Sequence, residues 1–177
     1  MMKRYVVLAA VMTAFATPAA AQQMMAAPAA APMAISPQTY RMMAAASDSF
    51  EIESSRLAMQ RSRNPRIRSY ANMMVRDHSM TSQALMGGVQ MAAMGGMAPG
   101  LDARHAAMLN QLASASGPQF DRLYARMQVM AHQEALALHG GYAQAGTDPA
   151  LRAFAGQVTP HIRHHLAMAR RLSGGRG

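Results

Sequence analysis

Two stretches of this chain share one pattern, and that pattern restricts the fold more than any other feature. Asn64-Pro65-Arg66-Ile67-Arg68-Ser69-Tyr70-Ala71 and Asp148-Pro149-Ala150-Leu151-Arg152-Ala153-Phe154-Ala155 agree in type at each position: cap, proline, any residue, aliphatic, arginine, small, aromatic, alanine. Proline cannot continue the helix before it, but its fixed φ suits the first position of the helix after it. Each stretch therefore reads as a tight turn between two helices.

The apolar periodicity around both turns is helical. Met43, Ala46, Phe50, Glu53 and Leu57 step by three and four through a first helix predicted over 38–62. Ile67, Ala71, Met74, His78, Thr81 and Leu85 form a heptad-like stripe in a second, over 65–86, which Gly87-Gly88 ends. A Gly/Met-rich connection over 87–100 and a short helix over 101–115 follow. Phe120, Tyr124, Met127, Ala131, Glu134 and Leu138 share a face of a long helix over 118–142. Leu151, Val158, His165 and Leu172, with the companion row Phe154, His161 and Met168, run through a last helix over 149–172, in which Pro160 predicts a kink near Gly156. Two hairpins joined by a long connection give an all-α antiparallel four-helix bundle with one crossover, the connectivity of ferritin-like folds, the crossover carrying a short extra helix.

The ends carry other information. Lys3 and Arg4, the apolar run Tyr5–Phe15, the helix-breaking Pro18 and the small residues Ala19-Ala20-Ala21 predict a secretory signal peptide over 1–21. That run is too short to span a bilayer, and no longer one follows, so the mature chain is expected to have no transmembrane segment. Residues 22–37, rich in Ala, Pro and Met, read as a disordered linker, 38–173 as the bundle domain and 174–177 as a flexible tail. The chain has no cysteine, which removes disulfides, thiol catalysis and thiolate metal sites together. Its formal charge is +9, two units of which leave with Lys3 and Arg4. Export argues against nucleic acid as the partner of that charge, and the few aromatics lie at core spacing rather than between arginines. Contact with anionic envelope surfaces is the expected use, with a solvated arginine-rich surface as the plain alternative. The sequence specifies no protein partner. Arg61, Arg63, Arg66 and Arg68 crowd the first turn and read as solvated.

Every long helix offers a ligand. Glu51, His78, His132 and His165 come from four different helices and form the primary metal-ligand set. Asp77, Glu134 and His161 are secondary candidates, the last because His161 and His165 are an i, i+4 pair that can grip one ion. Carboxylates and imidazoles lining a bundle core suit Fe, Mn, Zn or Cu. The di-iron pattern Glu-x-x-His is absent: Ala137 follows Glu134 at that spacing and Ser54 follows Glu51. The chain has 20 methionines, and Met91, Met94 and Met97 repeat every third residue in the connection, a thioether set suited to Cu(I). Elsewhere methionine reads as core filler. No Gly-x-Ser-x-Gly turn or Gly-rich phosphate loop is present, and nothing in the sequence points to an enzymatic reaction.

Phe50-Glu51-Ile52-Glu53-Ser54-Ser55-Arg56-Leu57-Ala58, Met73-Met74-Val75-Arg76-Asp77-His78, Phe120-Asp121-Arg122-Leu123-Tyr124, His132-Gln133-Glu134-Ala135 and His165-Leu166 together resemble an exported bacterial family of ferritin-like domains of unknown function, whose members often carry an outer-membrane label. The resemblance covers about residues 38–172. It implies a ferritin-like bundle and an envelope location, and no activity. Three readings follow. The first is a periplasmic bundle holding a transition metal on core Glu and His, in envelope stress protection. The second is a non-catalytic structural or interaction bundle whose polar core sets register. The third is copper(I) sequestration by the methionines.

Overall fold

The computed structural model describes residues 35–86 and 100–174. These residues form five helices: α1 (Pro37–Arg61), α2 (Pro65–Met86), α3 (Ala103–Ser114), α4 (Gly117–Ala145) and α5 (Pro149–Gly174). Among the described residues there is no strand, and no helix is long and apolar enough to cross a membrane. The signal peptide, most of the linker, the Met91–Met97 cluster and residues 175–177 lie outside the described residues.

The repeated stretches build matching turns. Asn64 Oδ1 accepts from the backbone N–H of Arg66 (2.9 Å), and Asp148 Oδ1 accepts from that of Leu151 (3.0 Å), so each caps the helix that its proline opens. The repeated arginine closes the helix before the turn. Arg68 donates to the carbonyl of Ser62 (3.4 Å) and Arg152 to that of Gly146 (2.9 Å), in both cases reaching back six residues to the C-cap. Arg68 also donates to Met59 O. Carbonyls at a helix end lack intrahelical partners, and a guanidinium supplies donors for them. Arg61 is used similarly on the α3 end, donating to Ala113 O and Ala115 O. The first turn is thus partly a capping device, where the sequence suggested solvated charge or an anion patch.

Some boundaries move for physical reasons. Ser36 Oγ accepts from Thr39 N–H (3.1 Å) and Pro37 takes the first helical turn, so the bundle begins inside the stretch read as linker. Gly174 belongs to α5 rather than to the tail. α4 starts at Gly117, whose φ of +53° is easy only without a side chain. α5 continues through Pro160, and Gly156, whose carbonyl loses its partner there, is exposed to water.

Neighbouring helices pack as α1 with α2, α4 with α5, α1 with α4 and α2 with α5, so the connection from α2 to α4 crosses the bundle diagonally. α3, on that connection, packs against α1 and α4, placing Met108 and Leu112 in the core. The apolar core falls into two clusters. One holds Phe50, Tyr70, Met74, Leu112, Phe120 and Tyr124; the other holds Tyr40, Leu85, Tyr142, Leu151 and Ala155. On each long helix the buried polar residues fall between those two groups: Asp48 and Glu51, His78, His132, and His165. The bundle therefore has a buried polar layer with an apolar layer on either side.

The buried face of α1 differs from the predicted stripe. Met43 is 47% exposed and the Glu53 side chain 44%. Ala46 and Phe50 of that stripe are buried, and beside them the inward face carries Tyr40, Ala44, Ser47, Asp48, Glu51, Ser54, Ser55 and Ala58, largely small and polar where it meets the polar layer.

Candidate metal centre

Three imidazoles meet in the polar layer, one each from α2, α4 and α5. The ring centroids of His78, His132 and His165 are 5.5 Å apart in every pair. All three side chains are at most 5% exposed. One donor atom from each lies within 4.8 Å of those of the other two.

Each ring is held by one nitrogen. His78 Nδ1 lies 2.8 Å from Asp48 Oδ1 and 3.0 Å from Glu51 Oε2. His132 Nδ1 lies 2.9 Å from Gln128 O and 3.1 Å from Glu51 Oε1. His165 Nε2 lies 3.1 Å from Asp77 Oδ2. Carboxylate and carbonyl oxygens only accept, so these nitrogens carry the proton and donate. The remaining nitrogens, His78 Nε2, His132 Nε2 and His165 Nδ1, are buried and have no hydrogen-bond partner among the described residues. Three ring nitrogens without a hydrogen-bond partner, in one layer away from water, are unfavourable by themselves. A cation is what such a group accepts, and imidazoles oriented from behind by carboxylates or a carbonyl are the usual surroundings of a metal-bound histidine.

The charges around these rings are unequal. Burial pushes the His165 imidazole down to about 4 and lowers His132 as well. Burial would also lower His78, but the Glu51 and Asp48 carboxylates outweigh it and hold this ring well above the usual histidine range. Glu51, with no exposed surface, pays a desolvation penalty that the charges of His78 and His132 more than offset, so its carboxyl stands at about 2. Burial raises Asp48. In the absence of metal the layer holds an ionised Glu51 beside a readily protonated His78, with two neutral imidazoles next to them.

The layer is reached from solvent. A pocket of about 600 Å³ is lined by Asp48, Glu51, Asp77, His78 and His165, with apolar walls from Ala84, Phe154 and Ile162. His132 is not among its lining residues. His139 also lines it; its Nδ1 lies 2.8 Å from the Tyr40 hydroxyl, and burial lowers His139 to about 4.

The structure brings Glu51, His78, His132 and His165 together. Asp77 sits behind His165. His161 is exposed at the pocket and is not part of the three-ring group: the buried row of α5 passes through Thr159, Ile162, His165 and Leu166, leaving His161 at its edge. Glu134 is elsewhere: its side chain is 42% exposed and forked against Arg104 of α3, with one arm at 2.6 Å. The inward row of α4 passes through Gln128, His132, Ala135 and His139, leaving Glu134 at its edge. The sequence reading missed Asp48, although it stands three residues before Glu51 on the same helical face, and it missed Gln128, whose carbonyl fixes His132.

Comparison with known proteins agrees with the fold. No curated protein matches the chain. A solved structure described as "CopM in the Cu(II)-bound form" superposes with a TM-score of 0.65 at 18% identity, covering 80% of this chain and 97% of that one. "CopM in the Ag-bound form (by soaking)" gives 0.62 at 16% identity, covering 78% and 95%. A DUF305 fragment from Deinococcus radiodurans gives 0.65 at 18% identity, covering 81% and 99%. At these identities the likeness is one of fold. The family model described as "Domain of unknown function (DUF4142)" matches residues 20–172, nearly the whole chain, and the protein belongs to that family.

Proposed function

We propose that this protein is a transition-metal-binding helical bundle of the bacterial cell envelope, with copper as its favoured occupant. His78, His132 and His165 serve as ligands. Asp48, Glu51, Asp77 and the Gln128 carbonyl orient them. One observation carries this reading: three buried imidazoles present unpartnered nitrogens in one layer while their other nitrogens are held by acceptors. A tetrahedral or trigonal ion would bring these nitrogens to roughly 3.3 Å apart, given metal–nitrogen bonds of about 2.0 Å. One donor atom of each ring already lies within 4.8 Å of those of the other two, so an ion would draw the rings inward.

The donor set argues for the choice of ion. Three imidazoles without thiolate, with His78 giving up its proton to the ion, suit Zn, Cu, Fe or Ni, and the Irving–Williams order places Cu(II) above the other divalent ions. The copper- and silver-bound states of the structurally similar CopM support the same direction. The N-terminal pattern over 1–21 supports export. A buried site whose rings are held in place fits holding an ion better than turning over a substrate, so we assign metal capture in the envelope rather than catalysis.

The register-setting alternative draws on the buried pairs Ser55–Tyr124 and Tyr40–His139, both at 2.8 Å, which do fix helix positions. It does not account for three buried ring nitrogens without partners. Titration of metal-free protein with Cu(II) and Zn(II), followed by calorimetry and thermal shift, tests the proposal. Tight binding and a raised melting temperature are expected for the wild type, and both are expected to be lost in His165→Ala and His132→Ala. A wild type that binds neither ion refutes it.

A further inference from the structure

His78 has donors on both sides. Its Nε2 belongs to the three-imidazole group, while its Nδ1 faces two carboxylates, Asp48 Oδ1 at 2.8 Å and Glu51 Oε2 at 3.0 Å. Asp48, Glu51 and His78 also each offer a donor atom within 4.8 Å of the other two, and all three are buried. One N–H cannot serve two carboxylates fully. Neither Glu51 oxygen has a hydrogen bond, although the side chain has no exposed surface, so both sit near ring nitrogens without the geometry of a bond. Asp48 fares better, since Ser82 donates to its other oxygen at 2.9 Å. A buried carboxylate without hydrogen bonds is a strong demand for a neighbouring cation. Asp48, Glu51 and His78 line the pocket, so an ion arriving from solvent reaches this group directly.

We propose that Asp48, Glu51 and Nδ1 of His78 form a second cation position beside the three-histidine position, and that His78 bridges the two ions as an imidazolate. The proposal rests on the reading above, because bridging requires an ion on Nε2. Two oxygens and one nitrogen suit a divalent ion of intermediate softness, Cu(II) or Zn(II). The step is a substitution without electron transfer. The Nδ1–H bond breaks, its proton passes to water, its electron pair stays on nitrogen, and a nitrogen–metal bond forms. One imidazolate and two carboxylates then face the four positive charges of two ions. The neutral His132 and His165 complete the set.

Stoichiometry and spin count test this on the metal-free full-length protein, titrated with Cu(II) and separately with Zn(II). Two ions per chain are expected for the wild type. Two Cu(II) ions joined by an imidazolate couple antiferromagnetically, so the electron paramagnetic resonance signal is expected to fall well below the copper content. Asp48→Asn keeps the size and the Ser82 contact. It is expected to bind one ion and to show the full signal for it. If Asp48→Asn does not fold, Glu51→Gln is read the same way, and the wild-type spin count decides independently. One ion in both wild type and Asp48→Asn overturns the second position and leaves the three-histidine reading intact. Two uncoupled ions in both overturn the bridge, placing the extra ion elsewhere. No binding at all removes the three-histidine reading and this proposal with it.

Discussion

Replacing His139 by glutamine should flatten the acid dependence of stability in the metal-free protein. His139 is 3% exposed, and its Nδ1 is hydrogen-bonded to the Tyr40 hydroxyl at 2.8 Å. Burial holds its pKa at about 4, against an ordinary 6.5. A histidine whose native pKa lies below its unfolded value takes up a proton more readily once unfolded. Its contribution is therefore complete above about pH 6.5 and is lost progressively as pH falls toward 4. For these two values the loss between pH 7 and pH 5 is about 2 kcal/mol, and about 3 kcal/mol by pH 4. Glutamine can still accept from Tyr40 but does not titrate. Urea denaturation of wild type and His139→Gln at pH 7, 6 and 5 isolates the term, because the other acid-sensitive groups are common to both. The two stability curves should converge by about 2 kcal/mol on going from pH 7 to pH 5. Tyr40→Phe gives the complement: it leaves Nδ1 buried and unpaired, at a cost of about 1–3 kcal/mol at pH 7. Parallel wild-type and His139→Gln curves would refute the argument that this buried ring is kept neutral.

Further outcomes follow from other contacts. Asp77→Asn leaves the three imidazoles in place but weakens the hold on His165 Nε2, so copper affinity should fall about 10- to 100-fold by calorimetry with the fold intact by circular dichroism. Arg152→Met removes the donor to Gly146 O, and the urea midpoint should drop by the equivalent of about 1 kcal/mol; Arg68→Met should cost a similar amount in the other turn. Glu134→Ala breaks an exposed pair with Arg104, so stability should change by less than about 1 kcal/mol and copper affinity not at all. A large loss of copper binding in that variant would return Glu134 to the site.

Much of the architecture was legible because proline acts locally. Pro65 and Pro149, each behind a capping side chain, fix helix starts whatever surrounds them, and the Gly/Met connection required a crossover. The α2 stripe was also correct, since Ile67, Ala71, Met74, His78 and Leu85 are buried. The α1 stripe was right in part: Ala46 and Phe50 are buried and Leu57 packs on the core, but Met43 and Glu53 are exposed, because the inner face there carries serine, alanine and carboxylates where the polar layer passes. The site residues could be gathered from the sequence as one imidazole or carboxylate per helix. Their roles could not, because which ring nitrogen is held and which is left free depends on contacts between helices. Asp48 was hidden for that reason: only its distance to His78 distinguishes it from a surface aspartate.

The polar layer also bears on how the two hairpins stay together. α1 and α2 belong to one and α4 and α5 to the other, joined by a single diagonal connection. The three unpartnered nitrogens come from both: His78 from the first, His132 and His165 from the second. An ion held there would tie position 78 to positions 132 and 165, enclosing the diagonal connection within a closed loop. A chain without cysteine would thereby gain a crosslink that forms with the ion and dissolves with a chelator. The halves would then remain joined even if a protease severed the backbone between α2 and α3.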